Sequence, residues 1–384
     1  MTYLLRRLPL SRLLLLCGLV VVIGISITAL AFALGTGPTP PPKPLADAVH
    51  DALVGAGGDQ IQGVSANVQL TDHLLEGASL ASGSSGTAGQ LSSSPLLTGA
   101  SGRLWISKVG RVRLELQSEK GDTQIYYDGH TVSMYDASSS TLYRYTPPAH
   151  GGDTGAGPGS PHSGAGTGTG SDHEPPSAAK IEEAISHLSQ HANVSGATPT
   201  DIAGQAAYTV HVSPKETGSL LGGAELSWDA TDGVPLRAAI YSSTSSAPAL
   251  ELAATSISYG PVEASVFEFT PPANAKVEEV TLPHEHGSKL EQSAQEGERP
   301  HVTSEGHGIT SVAVLESKSK EGAAAKQTSS PNEEGLQKVK INGIEASELP
   351  TELGTLLSFE RSGVRYFLAG AVSPAAVEAV AKGL

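Results

Sequence analysis

The stretch Gly102–Pro148, GRLWISKVGRVRLELQSEKGDTQIYYDGHTVSMYDASSSTLYRYTPP, alternates apolar and polar residues for most of its length. Leu104 and Ile106 alternate with Arg103, Trp105 and Ser107, and Val112, Leu114 and Leu116 with Arg111, Arg113 and Glu115. A period of two puts successive side chains on opposite faces of a strand, one wet and one buried. Asp128-Gly129 lies between Ile125/Tyr127 and Val132/Met134, a strong hairpin signal. Ser138–Ser140 supply the next turn before Tyr143/Tyr145. The spacing predicts four short antiparallel strands in a meander, half of a large sheet whose apolar face needs a cover.

The second half follows after an interruption. Val64, Ala66, Val68 and Leu70 predict a first strand, and Leu45–Ala56 a preceding amphipathic helix with Leu45, Ala48, Val49, Ala52 and Leu53 on one face. Beyond the meander, Ser177 is placed to cap a helix with the stripe Ile181, Ala184, Ile185 and Leu188. Strands then carry Tyr208/Val210/Val212, Leu226/Trp228, Leu236/Ala238/Ile240, Leu250/Leu252 and Ile257/Tyr259, with Asp232-Gly233 as a hairpin. Phe267 and Phe269 precede Pro271-Pro272. In all, nine to eleven antiparallel strands are expected, and a sheet that wide normally curls.

The ends and linkers complete the layout. Residues 1–12 hold Arg6, Arg7 and Arg12 and no acid, and Leu13–Leu34 hold no charge at all. Such a run is long enough for a helix to cross a bilayer, and the arginines before it place the rest of the chain outside the cytoplasm. A cleaved signal peptide ending at Ala31-Phe-Ala33 is the alternative. Cys17, the single cysteine, leaves no disulfide framework. Residues 35–44 are a Pro-rich spacer. Glu76–Ser101 form a Ser/Gly-rich insert with scattered leucines, either a surface loop or a lid. His150–Pro176 and residues 283–300 have linker composition. Residues 301–384 predict a small α+β module with four strands, at Ile309–Glu316, Val339–Ile344, Leu356–Glu360 and Val364–Ala371. Ser373-Pro374 then open a terminal helix.

The ordered string G-x-L-W, R-x-R-L-E-L, D-G-x-x-V, Y-D and Y-R-Y resembles the LolA/LolB superfamily of periplasmic lipoprotein carriers and RseB-type regulators. The resemblance spans about residues 45–280, within a large domain of 45–282, and the segment after it is similar to an RseB-type second domain. It implies a mainly β (α+β) fold: a curved antiparallel sheet, helices on its concave face, and a cavity for acyl chains. Partners implied are lipids or lipoproteins, with a membrane anti-sigma factor as the alternative partner of a sensing protein.

Function is expected on the apolar face. Its candidates are Leu104, Ile106, Val112, Leu114, Leu116, Ile125, Met134, Val210, Leu226, Trp228, Leu236, Ile240 and Leu252; ordinary core is the competing reading. No nucleophile–base set, P-loop or H-E-x-x-H occurs, so neither enzymatic chemistry, cofactor nor metal is expected. Asp122, Asp128, Asp136, Asp229 and Asp232 sit at turns, where Asp bonds its own backbone. The formal net charge of −15 argues against nucleic acid.

Overall fold

The computed structural model describes residues 37–56, 61–75, 95–119, 121–147, 175–280, 301–318 and 336–384. The proposed membrane segment 1–34, the linkers 150–174 and 283–300, and most of the Ser/Gly-rich insert lie outside the described residues. Among the described residues no helix is long and apolar enough to cross a membrane.

Two sheets make up the structure. The first has thirteen strands, in the order β13-β6-β5-β4-β3-β2-β1-β12-β11-β10-β9-β7, with β8 also paired to β9. Its first half is β1 (Gly63–Asp72), β2 (Ala100–Ser107), β3 (Val112–Ser118), β4 (Gly121–Tyr127), β5 (Val132–Asp136) and β6 (Thr141–Tyr145). The second half is β7 (Ala192–Val194), β8 (Thr198–Ile202), β9 (Gln205–Pro214), β10 (Leu221–Asp229), β11 (Pro235–Ser242), β12 (Pro248–Tyr259) and β13 (Lys276–Glu279). Strands β1–β6 and β7–β12 pair antiparallel, and the two halves meet where β1 pairs with β12. The sheet stays open, mainly β as expected.

Several expectations need correcting. The stretch 102–148 holds five strands, because Val132–Asp136 and Thr141–Tyr145 pair separately across the Ser138–Ser140 turn. The sheet exceeds eleven strands because β7 and β8 are too short to show a period, and β13 pairs with β6 in parallel. Phe267 ends a 3-10 turn (Ala264–Phe267) rather than lying in a strand. That segment crosses the polar face: Phe269 stacks on Tyr126 at 4.4 Å, and Arg113, lying over the Trp105 and Tyr126 rings, donates to the Val266 carbonyl at 2.7 Å.

Helix α1 (Leu45–Ala56) forms where the spacing places it and packs on the apolar face. A four-residue helix, α2 (Pro95–Thr98), sets Leu96 against the same face. Helix α3 (Ala178–His191) departs from expectation. Ser177 occupies the cap position without a side-chain bond, and only Ile181 of the apolar stripe is buried. This helix packs beside α1 and β7 rather than over the sheet.

The second sheet has six strands in place of four: β14 (His301–Glu305), β15 (Val312–Lys318), β16 (Gln337–Ile341), β17 (Ile344–Thr351), β18 (Gly354–Arg361) and β19 (Val364–Gly370). Asn342 and Gly343, both at positive φ, break the expected Val339–Ile344 strand into the β16–β17 hairpin. Helix α4 (Pro374–Gly383) buries Val377 and Ala381 on Val314, Leu357 and Leu368. This sheet stands end-on against the first. Leu220 N–H donates to the Ala371 carbonyl at 2.7 Å, Glu352 N–H to the Leu74 carbonyl at 2.9 Å, and the Thr310 hydroxyl to Glu216 at 3.0 Å.

Candidate functional site

The register shows how alternation on separate strands becomes one surface. Leu70, Leu252, Ala238, Leu226 and Val210 stand side by side across β1, β12, β11, β10 and β9. The next row holds Leu250, Ile240, Ala224 and Val212. In the first meander, Ala66, Leu104, Leu114, Ile125 and Met134 form one row, and Val64, Ile106, Val112, Tyr127 and Val132 another. Ten of the thirteen candidate residues stand in these rows; Leu116 and Trp228 share the phase of Leu114 and Leu226, and Leu236 falls at the register shift where Ser227 pairs with Arg237 and Trp228 with Pro235.

They divide into four environments along that face. Under α1, Trp228 packs with Tyr208, Ala48 and Val49, and is buried. Leu236 is buried nearby on β11. At the centre, Leu116 is 1% exposed and Leu104, Leu114 and Leu252 pack around it with Val68, Leu70 and Leu96. Ile106, Val112, Ile125 and Met134 are half-buried farther along the first meander.

Between the first two lies a trough of about 440 Å³, lined by Leu70, Val210, Val212, Ala224, Leu226, Ala238, Ile240, Leu250 and Leu252, with backbone from Glu225 and Ala239. Leu226, on its floor, is 43% exposed. Val210, Leu226, Ile240 and Leu252 were identifiable from sequence; Val212, Ala224, Ala238, Leu70 and Leu250 were not singled out, although the same period marks them. Bulky side chains next to alanines give the trough its depth: Ala224 and Ala238 leave space that Leu or Ile there would fill.

The opposite face of the same strands is polar and tightly bonded. Arg237 donates to Glu225 at 2.6 Å, to Glu251 at 2.6 and 2.8 Å, and to the Tyr241 hydroxyl at 2.8 Å. Burial pushes the Glu225 carboxyl up, but the bonds from Arg237 and Tyr241, together with the charge of Arg237, outweigh it and hold the carboxyl below its ordinary range. His211 lies on this face, half-exposed, 3.5 Å from Glu225. The network pins β9–β12 together from behind and leaves the apolar face without charge. The turn aspartates do backbone work: Asp128 accepts from His130 and Thr131, Asp136 from Ser138, and Asp229 from Thr231 and Asp232. Among the described residues no group of three or more His, Cys, Asp or Glu could hold a metal ion.

Gly233 sets the seat of α1. Its φ of +69° is left-handed, and a Cβ there would stand 2.0 Å from the Ala52 carbonyl oxygen. The Asp232-Gly233 turn thus packs directly against the helix backbone.

No protein-family model matches the chain, and no curated protein matches it. Solved structures similar to it include MucB in complex with the periplasmic part of MucA, at 14% identity and a TM-score of 0.39, covering 88% of this chain and 97% of that one. The MucA/MucB complex of Pseudomonas aeruginosa is similar at 14% identity and 0.39, covering 87% and 96%. A LolA superfamily protein from Nitrosomonas europaea is similar at 8% identity and 0.19, covering 84% and 90%.

Proposed function

We propose that the chain is an extracytoplasmic binding protein, anchored by residues 13–34, that shelters acyl chains of lipids or lipoproteins on the concave face, and that it is not an enzyme. The trough of about 440 Å³ with an almost wholly apolar lining carries this reading, since small-molecule sites fall at about 300–1,000 Å³. A fully buried CH₂ contributes about 0.8 kcal/mol, so about fourteen methylenes supply ~11 kcal/mol, and roughly half of that in a trough open on one side. Association costs of about 4 kcal/mol or more leave a weak, exchangeable complex. Weak exchange suits a protein that receives and passes on its ligand. Native mass spectrometry with lipid extraction of the membrane-purified chain tests the reading. Co-purified acyl lipid, or uptake of a fluorescent fatty acid, is expected; a folded protein that does neither refutes it.

A second reading, an RseB-like protein that senses envelope lipids or lipoproteins and binds a membrane anti-sigma factor, is favoured by one observation. The second sheet is bonded at Leu220, Ser219 and Glu352 to the strand ends that close the Val212–Ala224 end of the trough. On this reading, lipid loading alters hydrogen exchange in residues 301–384. Unchanged exchange there on loading would leave only the carrier role.

A further inference from the structure

We infer that one end of the large sheet is a membrane-docking surface, where Val109, Leu53 and Val54 rest on the bilayer. The inference rests on the proposed reading of residues 13–34 as an anchor.

The start of the described chain locates this end. Gly37 lies against Asp201, since a Cβ on it would stand 2.0 Å from the Asp201 carboxylate. The following residues run along β8: the Tyr208 hydroxyl donates to the Pro41 carbonyl at 2.6 Å, and Lys43 bridges to Ala197. Lys43 also pairs with Asp51 of α1. The chain is therefore fixed from Gly37 onward. Only Gly35 and Thr36 separate it from the uncharged run ending at Leu34, and the three steps from Leu34 to Gly37 span at most about 11 Å. An anchor in the bilayer thus holds the Asp201 end of the sheet close to the lipid surface.

The exposed apolar side chains of α1 and the β2–β3 turn gather at this same end. Asp201 pairs with Ala206, Ala230 N–H donates to the Ala206 carbonyl, and a Cβ on Gly55 would stand 2.7 Å from the Thr231 carbonyl oxygen. Those contacts bring the last turn of α1 beside the point of entry, with Leu53 42% and Val54 48% exposed. Across the sheet, Tyr259 pairs with Val64, and Gly63 with Ser107, so the β2–β3 turn lies on this end too. Its tip is Val109, 75% exposed, more than any other large apolar side chain among the described residues. The second sheet joins the opposite end, at Leu220 and Leu74. With a net charge of −15 the chain is repelled by anionic lipid. The contact is accordingly insertion of apolar side chains into a zwitterionic surface.

The full chain with Cys17→Ser, carrying a single cysteine at Val109, Val54 or Ser246, is labelled with a polarity-sensitive fluorophore and reconstituted into phosphatidylcholine vesicles containing brominated lipid. Ser246 lies in the exposed β11–β12 turn at the far end. Loss of fluorescence at Val109 and Val54 but not at Ser246 is expected, with Val109→Glu reducing the loss at Val54. Vesicle-bound protein with all three sites unquenched overturns the docking surface and leaves the anchor standing. Protein that stays off the vesicles overturns both. Uptake of a fluorescent fatty acid, read separately, reports on the trough alone.

Discussion

Leu226→Gln separates a binding surface from a core. Leu226 is 43% exposed on the trough floor, beside Ala238 and Val210. In the free protein a glutamine there keeps its amide in water, so stability should change by no more than about 0.5 kcal/mol. With an acyl chain in place, the amide is covered by methylenes and has no partner, at a cost of about 1–3 kcal/mol. Since about 1.4 kcal/mol is tenfold in affinity, the dissociation constant should rise roughly 5- to 150-fold. Leu116→Ala is the contrasting change: at 1% exposure its side chain is core, and its loss should cost about 2–5 kcal/mol of stability. Leu114, packed in the same cluster, belongs with Leu116, so an arginine at 114 should unfold the domain rather than report on binding. Denaturant unfolding followed by circular dichroism, and titration with a fluorescent fatty acid, give the two readouts. If Leu226→Gln unfolds the domain, or leaves uptake unchanged at unchanged stability, the trough is not a binding surface.

Gly233→Ala should cost about 1–3 kcal/mol, from the positive φ and the clash with the Ala52 carbonyl, and hydrogen exchange should rise across α1 before the rest of the sheet. Glu348 is 2% exposed with one oxygen unpartnered, and burial, then the charge of Glu378, pushes its carboxyl above the ordinary value of 4.5. The folded state therefore holds this proton to higher pH than the unfolded chain does, so its contribution to stability falls as pH rises from about 4.5 through the folded-state pKa. Glu348→Gln should flatten that fall in a melting-temperature series from pH 4 to 8; a parallel series would show that Glu348 does not set it.

Alternation along single strands revealed the faces of the sheet but not the neighbours within a face. Leu226 and Trp228 share a strand and a phase, yet one lines an open trough and the other is sealed by α1. What separates them is the Asp232-Gly233 turn holding the helix over one and not the other, a tertiary contact with no trace in the local period. The row from Leu70 to Val210 needed the β1–β12 pairing, which joins segments far apart in sequence. The short strands β7 and β8 were invisible for another reason: three to five residues are too few to establish a period of two. The β16–β17 hairpin reads as one strand, Val339–Ile344, although Asn342-Gly343 inside it is a strong turn signal. Phe267 and Phe269 read as apolar and strand-like, but Phe269 packs on Tyr126 and Tyr135, and the preceding Val266 carbonyl accepts from Arg113, all on the face that alternation marks as polar.

The seam between β1 and β12 bears on how the protein folds and on what its chain can tolerate. Each meander is built from neighbouring hairpins and can form locally, but the seam brings Val64 to Tyr259 and must await both. Pairing so remote in sequence places this protein among slow folders. The same remoteness makes the seam insensitive to the length of what lies between, because closure entropy grows only logarithmically and doubling a loop costs about 0.6 kcal/mol. Lengthening or shortening residues 150–174 should leave equilibrium stability nearly unchanged, which makes that stretch the natural place to graft a reporter or a protease site.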